Sequence, residues 1–283
     1  MARPQLEPVT AANIDEFCAF LHQHLNPAIT PAAFRAGLTQ AWHVEPPNHG
    51  FVVRDDGRLV GGIGAIYAER PLAGRRERCC NITGWCVLES HRAQSMRLAM
   101  AVTSQKGWHF TDLSPTQVVG SMLQFLKFQP LDERQAVLLN LPGLPGLGAR
   151  VLHRAADIEA ALQGDALQVW RDHAGFPWLQ HVLVGHPGQW CHVIYKRRTF
   201  KRLPTASVLY LSDAEVFLRG WRALAGHLLT RGIASTQVEA RLLPRVPAPG
   251  AIRSGFNAKL FLSDRLQPAQ IDLLYSEAVA LDL

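Results

Sequence analysis

Apolar positions along the chain change period several times, and each change marks an element. Ile14, Phe17, Cys18, Leu21 and Leu25 recur along one helical face, with Thr10 or Asn13 placed to cap its start. The stretch NPAIT stops that helix, and Pro31 is placed to open a second one running through Trp42. In GFVVRDDGRLVGGIGAIYAE two apolar runs flank Asp55-Asp56-Gly57, a strong hairpin signal. A loop carrying Pro71, Gly74 and the cations Arg75, Arg76 and Arg78 leads to CCNITGWCVL, a third predicted strand. AQSMRLAMAVTSQKG predicts a helix stopped by Gly107. WHFTDL predicts a short strand, and SPTQVVGSMLQFLKF a helix with Pro115 in its first turn. QAVLLNL is a further strand, the last of the first half.

Two prolines and three glycines between Leu141 and Arg150 mark a domain boundary, giving units 1–141 and 150–283. The element order then partly recurs. DIEAALQG is helical, and QWCHVIYKRR and TASVLYLS are strands on either side of the basic segment Lys196 to Arg202. DAEVFLRGWRALAGHLLTRG is a helix of roughly five turns by its ~3.6-residue period, with Gly232 as its stop. IASTQVEARLL and GFNAKLFLS are strands, and PAQIDLLYSEAVAL a closing helix. The expected fold class is α+β: two related mixed-sheet domains in tandem, with helices on both faces of each sheet.

Composition narrows the class. Of the 283 residues 48% are hydrophobic and 18% charged, enough apolar surface for a real core. No run reaches the ~18 to 20 apolar residues of a membrane helix, and the first residues have no signal-type apolar stretch, so a cytoplasmic location is expected. Five cysteines, an odd number, do not make a disulfide framework. Neither zinc-ligand spacing nor H-E-x-x-H occurs, so no metal is expected. The net charge of +6 favours acidic partners such as a phosphate-bearing cofactor, without choosing among them.

The segment WCVLESHRAQSMRLAMAV passes from a strand to a helix by way of an arginine, the layout of a turn that holds a phosphate on converging backbone N–H groups. With the elements around it, from Pro4 to Leu139, it resembles the GNAT superfamily of acyl-CoA-dependent N-acyltransferases; residues Arg150 to Leu283 resemble it more faintly. That superfamily favours a strand valine, a proline two residues on, then R/Q-x-x-G-x-G/A. Val87 fits the valine and Arg92 the R/Q position; Glu89 stands where proline is common, and Ser95 and Arg97 where small residues are expected. Asp112 stands for an asparagine that ends the following strand, Lys127-Phe128 for Gly-Phe, and Leu123 for the tyrosine proposed to protonate the departing thiolate.

The resemblance implies coenzyme A or acetyl-CoA as cosubstrate, held by Val87, Arg92, Ala93, Gln94, Ser95, Met96 and Arg97. Arg97 would either fork onto the pyrophosphate or fill its space. Glu89 and Asp112 are the candidates for the base or the ammonium contact, against the simpler roles of a solvated loop acid and a helix cap. His91 is expected as a surface histidine, and Cys80 and Cys86 as small core residues rather than nucleophiles. None of the serines stands in a G-x-S-x-G elbow, which disfavours a hydrolase. In the second half Asp213 and Glu215 sit at a helix start, where they cap it and repel an anion, so no coenzyme A is expected there. Tyr195 to Arg202 carries five cations and is expected as a solvated hairpin connection; phosphates of nucleic acid, an anionic lipid face or an acidic acceptor are its other possible partners. The expected function is transfer of an acyl group from acyl-CoA to a small-molecule or peptide amine. The alternative is a non-catalytic GNAT-like protein that binds a ligand or a protein partner, and nucleic acid is the least favoured partner.

Overall fold

The computed structural model describes residues 3–72, 74–141 and 149–282. The elements follow in the order β1 (Gln5–Pro8), α1 (Ile14–His24), α2 (Pro31–Leu38), β2 (Ala41–Trp42), β3 (Gly50–Asp55), β4 (Arg58–Leu72), β5 (Arg75–Val87), a 3₁₀ segment (Glu89–Gln94), α3 (Ser95–Thr103), β6 (His109–Asp112), α4 (Gln117–Phe125), β7 (Gln129–Pro130) and β8 (Gln135–Leu139). They continue with β9 (Arg150–Leu152), α5 (Ala155–Ala161), α6 (Gly164–His173), β10 (Leu179–His186), β11 (Gln189–Phe200), β12 (Leu203–Leu211), α7 (Ala214–Thr230), β13 (Ser235–Glu239), β14 (Gly250–Arg253), β15 (Leu260–Leu262) and α8 (Glu277–Ala280). The chain divides into two compact units: Met1–Leu131 with Asn257–Gln270 and Tyr275–Leu283, and Asp132–Phe256 with Ile271–Leu274. The expected boundary between 141 and 150 falls mostly on residues 142–148, outside the described residues.

The first unit is a mixed sheet in the order β1-β3-β4-β5-β6-β15-β7, with β2 beside β4. Its central strand explains why helices cover both faces. Ile63, Ala65 and Tyr67 of β4 join a core with Leu98 and Val102 of α3. The alternate positions face α1 and α2, and two of them are glycine. A Cβ on Gly62 would stand 2.4 Å from the Phe17 ring, and one on Gly64 2.6 Å from Leu38. Glycine therefore sets how closely these two helices approach the sheet. The hairpin at Asp56-Gly57 forms as expected, both residues having positive φ.

The second unit is a sheet in the order β14-β8-β13-β12-β11-β10-β9. Val182 and Val184 of β10 pack against Phe217, Trp221 and Leu224 of α7, whereas Leu183 between them packs against Ile158 and Leu162 on the other face. Asp213 caps α7 by accepting from the Val216 N–H at 2.8 Å. The basic stretch forms the end of the β11–β12 hairpin, with Lys201 and Arg202 both at positive φ in its turn.

Four expectations need correction. The helix from Pro31 stops at Leu38, and Trp42 lies in a short strand paired to β4. β8 does not end the first sheet: it pairs with β13 and β14, and Ala136 and Leu138 enter the second core. β15 joins the first sheet between β6 and β7. A strand's own pattern fixes which face is apolar but not which edge it meets. The closing helix over 268–281 is only a turn at Pro268–Gln270 and a four-residue α8. Tyr275, at φ +57, breaks any continuous helix, so its buried apolar side chains pack from irregular backbone.

Candidate active site

Two neighbouring strands part company in the first unit. β5 and β6 run parallel and pair only at Cys79–Asn81 with His109–Thr111. Beyond Asn81, β5 stays paired to β4 alone, so its other edge opens. A bulge drives the divergence: the β4–β5 register jumps between Gly62 and Gly64, opposite Gly84 at φ +55. The Leu88 N–H donates to the Val60 carbonyl at 2.9 Å. Strand alternation then turns the Val87 N–H the other way, toward the open edge.

Two cavities meet in this opening. The outer cleft, of about 390 Å³, is lined by Cys86, Val87, Arg92, Ser95 and the α4 residues Val118 and Met122. The inner cavity, of about 230 Å³, is lined by Gly84, Asp112 and Ser114 beside the apolar Leu25, Phe34 and Leu281. Trp85, Thr116 and Val119 line both. α4 is placed here by Thr116, whose hydroxyl accepts from the Val119 N–H at 3.3 Å.

Of the two expected acids, Asp112 reaches the inner cavity and Glu89 reaches neither space. Glu89 is exposed and pairs with the Arg92 Nε at 2.6 Å. Asp112 is buried, and its Oδ1 accepts from the Ser114 N–H at 3.2 Å; it does not cap the next helix, whose cap is Thr116. Beside it stands a residue the sequence reading did not single out. Glu277, fully buried at the start of α8, accepts from the Ser114 hydroxyl at 2.8 Å, and its own N–H donates to Asn81 Oδ1 at 2.9 Å. Burial pushes the Asp112 carboxyl well above the usual range, and the charge of Glu277 pushes it further. Burial also raises Glu277, opposed by the Ser114 hydroxyl, by the backbone N–H groups of Glu277 and Leu113 and by the Asn81 side chain. The available signal was one acid inside the apolar run LLYSEAVAL, since a charged residue is rarely buried without a reason.

The turn before α3 is wound tighter than an open phosphate loop. Residues 89–94 form a 3₁₀ segment, in which the His91 N–H donates to the Leu88 carbonyl at 2.8 Å and the Ser95 N–H to that of Arg92. Ser95 is buried, Met96 is half-buried, and Ala93 and Arg92 are exposed. Arg97 turns away: its Nη1 donates to the Pro4 carbonyl at 2.6 Å and to Gln94 Oε1 at 3.4 Å. His91 is tied to Asp55 Oδ2 at 3.0 Å and to the Ser90 hydroxyl at 2.8 Å. Leu123 is buried in the core with Leu98 and Phe110. Burial raises the thiols of Cys80 and Cys86, which keeps both protonated and poorly nucleophilic. Among the described residues no cluster could hold a metal ion, and no helix is long and apolar enough to cross a membrane.

Residues 15–96 match the model of the acetyltransferase (GNAT) family. Among solved structures, the chain is similar to a GCN5-related N-acetyltransferase from Anabaena variabilis, with a TM-score of 0.63 at 11% identity over 92% of this chain and 72% of that one. It is similar to a probable N-acyltransferase from Enterococcus faecalis V583, with a TM-score of 0.62 at 13% identity over 95% and 74%. A putative acetyltransferase from Pyrococcus horikoshii superposes with a TM-score of 0.52 at 10% identity over 96% and 94%. The sequence has no significant match among curated proteins. The matched segment runs from α1 to the first residues of α3 and so takes in the parted strand and the turn beside it, and the chain as a whole shares its fold with these acetyltransferase structures.

Proposed function

We propose that the protein is an acyl-CoA-dependent N-acyltransferase whose cosubstrate lies in the outer cleft and whose amine enters the inner cavity. The observation that carries this reading is the opening of β5 from β6, with two cavities meeting at Trp85, Thr116 and Val119. An extended thioester arm can take up hydrogen bonds along the free edge of β5, as a further strand would. The Val87 N–H on that edge is the donor we assign to the thioester carbonyl, where negative charge develops. Arg92 and the Ser95 hydroxyl supply the charge and polarity for the diphosphate, with Ala93, Gln94 and Met96 framing the turn. Arg97 stays outside this contact because it holds Pro4. Glu89 acts through Arg92, by fixing its guanidinium.

Asp112 is the base in this scheme. A buried carboxyl with raised proton affinity is matched to an amine better than an exposed one. The amine nitrogen bonds to the acyl carbon, the carbon–sulfur bond breaks, the amine proton passes to Asp112, and the thiolate takes a proton from water. Most of the acceleration comes from holding amine and thioester together.

A second reading is a ligand-binding protein without turnover. The tightly wound 3₁₀ segment favours it, because two of its amides are already spent within the turn. One pair of measurements separates the two. Acetyl-CoA raises the melting temperature under both readings, by an amount that grows with its excess over Kd. Thiol release on adding amines occurs only under the first, and Asp112→Asn lowers it at least about 100-fold, the usual size of a general-base contribution. Absence of thiol release from protein saturated with acetyl-CoA, across primary amines, removes the transferase reading.

A further inference from the structure

The inner cavity has an unequal distribution of chemistry. Leu25, Ile29, Phe34, Val119 and Leu281 make its walls apolar, and Asp112 is the charged residue among those lining it. No arginine, lysine or histidine lines it among the described residues. Behind Asp112, Glu277 has one oxygen on the Ser114 hydroxyl; the other, Oε2, is buried without a hydrogen-bond partner. A native structure seldom leaves such an atom bare unless something else satisfies it. Around the pair β5 offers Asn81, the loop after β6 offers Ser114, and β15 places Leu260 opposite Asp112, none of them a cation. Arg70 of β4 packs over the Tyr275 ring at 4.5 Å. The ionisable group acting on Asp112 is Glu277.

Resting on the acyltransferase reading above, we infer that the inner cavity selects a small primary amine with an apolar body and no anionic group, its ammonium seated on Asp112 and Glu277 standing behind as a positioning residue. Two acids without a counter-ion attract a cation into a cavity that otherwise buries hydrocarbon. The same two acids reject an amino acid, whose carboxylate would be buried beside them with no arginine or lysine to receive it. The ammonium gives one proton to Asp112, the neutral nitrogen then attacks, and the second proton lost from nitrogen passes through water to the departing thiolate. Glu277 does not touch the amine. Its charge sets the proton affinity of Asp112, and the Ser114 bridge keeps the two carboxyls in place.

Paired ligands test this directly on the full chain. Titration calorimetry with 2-phenylethylamine and with phenylalanine, in the presence of coenzyme A, compares one apolar body with and without a carboxylate. The expected result is binding of the amine at least about tenfold tighter, with hexylamine behaving like the amine and with binding lost in Asp112→Asn. Glu277→Gln keeps an oxygen for the Ser114 hydroxyl but removes the charge. It should shift the acid limb of amine binding to lower pH; a purely structural role would weaken binding equally at every pH. A melting curve of the glutamine variant guards against misfolding, and Glu277→Asp, which keeps the charge, should retain the parent's acid limb. Equal binding of both ligands, binding of neither, or an unshifted limb in a folded Glu277→Gln protein overturns the inference. Amine binding without thiol release from acetyl-CoA leaves the inference standing and overturns the transferase reading instead.

Discussion

Lys127 sits where the backbone asks for glycine. It follows α4 with φ +71, its N–H donates to the Gln124 carbonyl at 2.9 Å, and the Phe128 N–H reaches back to that of Leu123 at 3.0 Å. These bonds close the helix in the way glycine usually does, and a Cβ there carries a steric cost of about 1 kcal/mol. Lys127→Gly should therefore stabilise the protein by roughly that amount, read as a rise in melting temperature of about 2–4 °C; a fall would show that the lysine side chain contributes more than the strain costs. Asp112 was legible for a related reason. A short polar residue at a strand end is either a cap or a functional group, and here it lines a cavity as well as bonding the Ser114 N–H. Its partner Glu277 was not legible, because its contacts with Ser114 and Asn81 span 163 and 196 residues of chain. No local pattern encodes such a distance.

Among elements, β5 carries the site. Its bulge at Gly84 turns it from β6, and Gly84 tolerates little else: φ is +55 and a Cβ would stand 3.0 Å from Leu21. Gly84→Val should cost about 1–3 kcal/mol through backbone strain and crowding. It should also weaken binding in the inner cavity more than the proposed binding of coenzyme A in the outer cleft, since Gly84 lines only the former. Chemical denaturation and calorimetry read the two effects separately; a variant as stable as the parent would show that the bulge is not set by this glycine. Apart from β2, taken as the end of α2, the order of elements from α1 to α4 was legible, since each has its own period and its own stop. β8 and β15 were legible as strands but not in their sheets. The phosphate-type turn was legible as a strand-to-helix step, but its 3₁₀ winding, held by backbone bonds such as His91 N–H to the Leu88 carbonyl, was not.

At the scale of the whole molecule, acid should act on the second unit through its buried imidazoles. His181 Nδ1 and His192 Nε2 lie 3.1 Å apart. Burial lowers His181 to about 4, and burial together with the neighbouring histidines lowers His192 further below its ordinary value. Both are neutral in the fold and gain protons on unfolding near pH 6. Their contribution to stability is complete above about 6.5 and is lost as pH falls toward 4, by roughly 1.4 kcal/mol per pH unit for each histidine that takes up a proton. Urea unfolding between pH 7 and 4.5 should show this slope, and His181→Gln should flatten it; an unchanged slope would place the acid sensitivity elsewhere. The path of the chain has a further consequence. β15, which separates β6 from β7, is made only after the whole of the second unit's main segment. During synthesis the β6 border of the first sheet stays bare for that interval, open to mispairing with any other strand. A fragment ending at Leu131 should accordingly be sticky and inactive, and a peptide spanning 257–282, supplied separately, is the piece that would seal it.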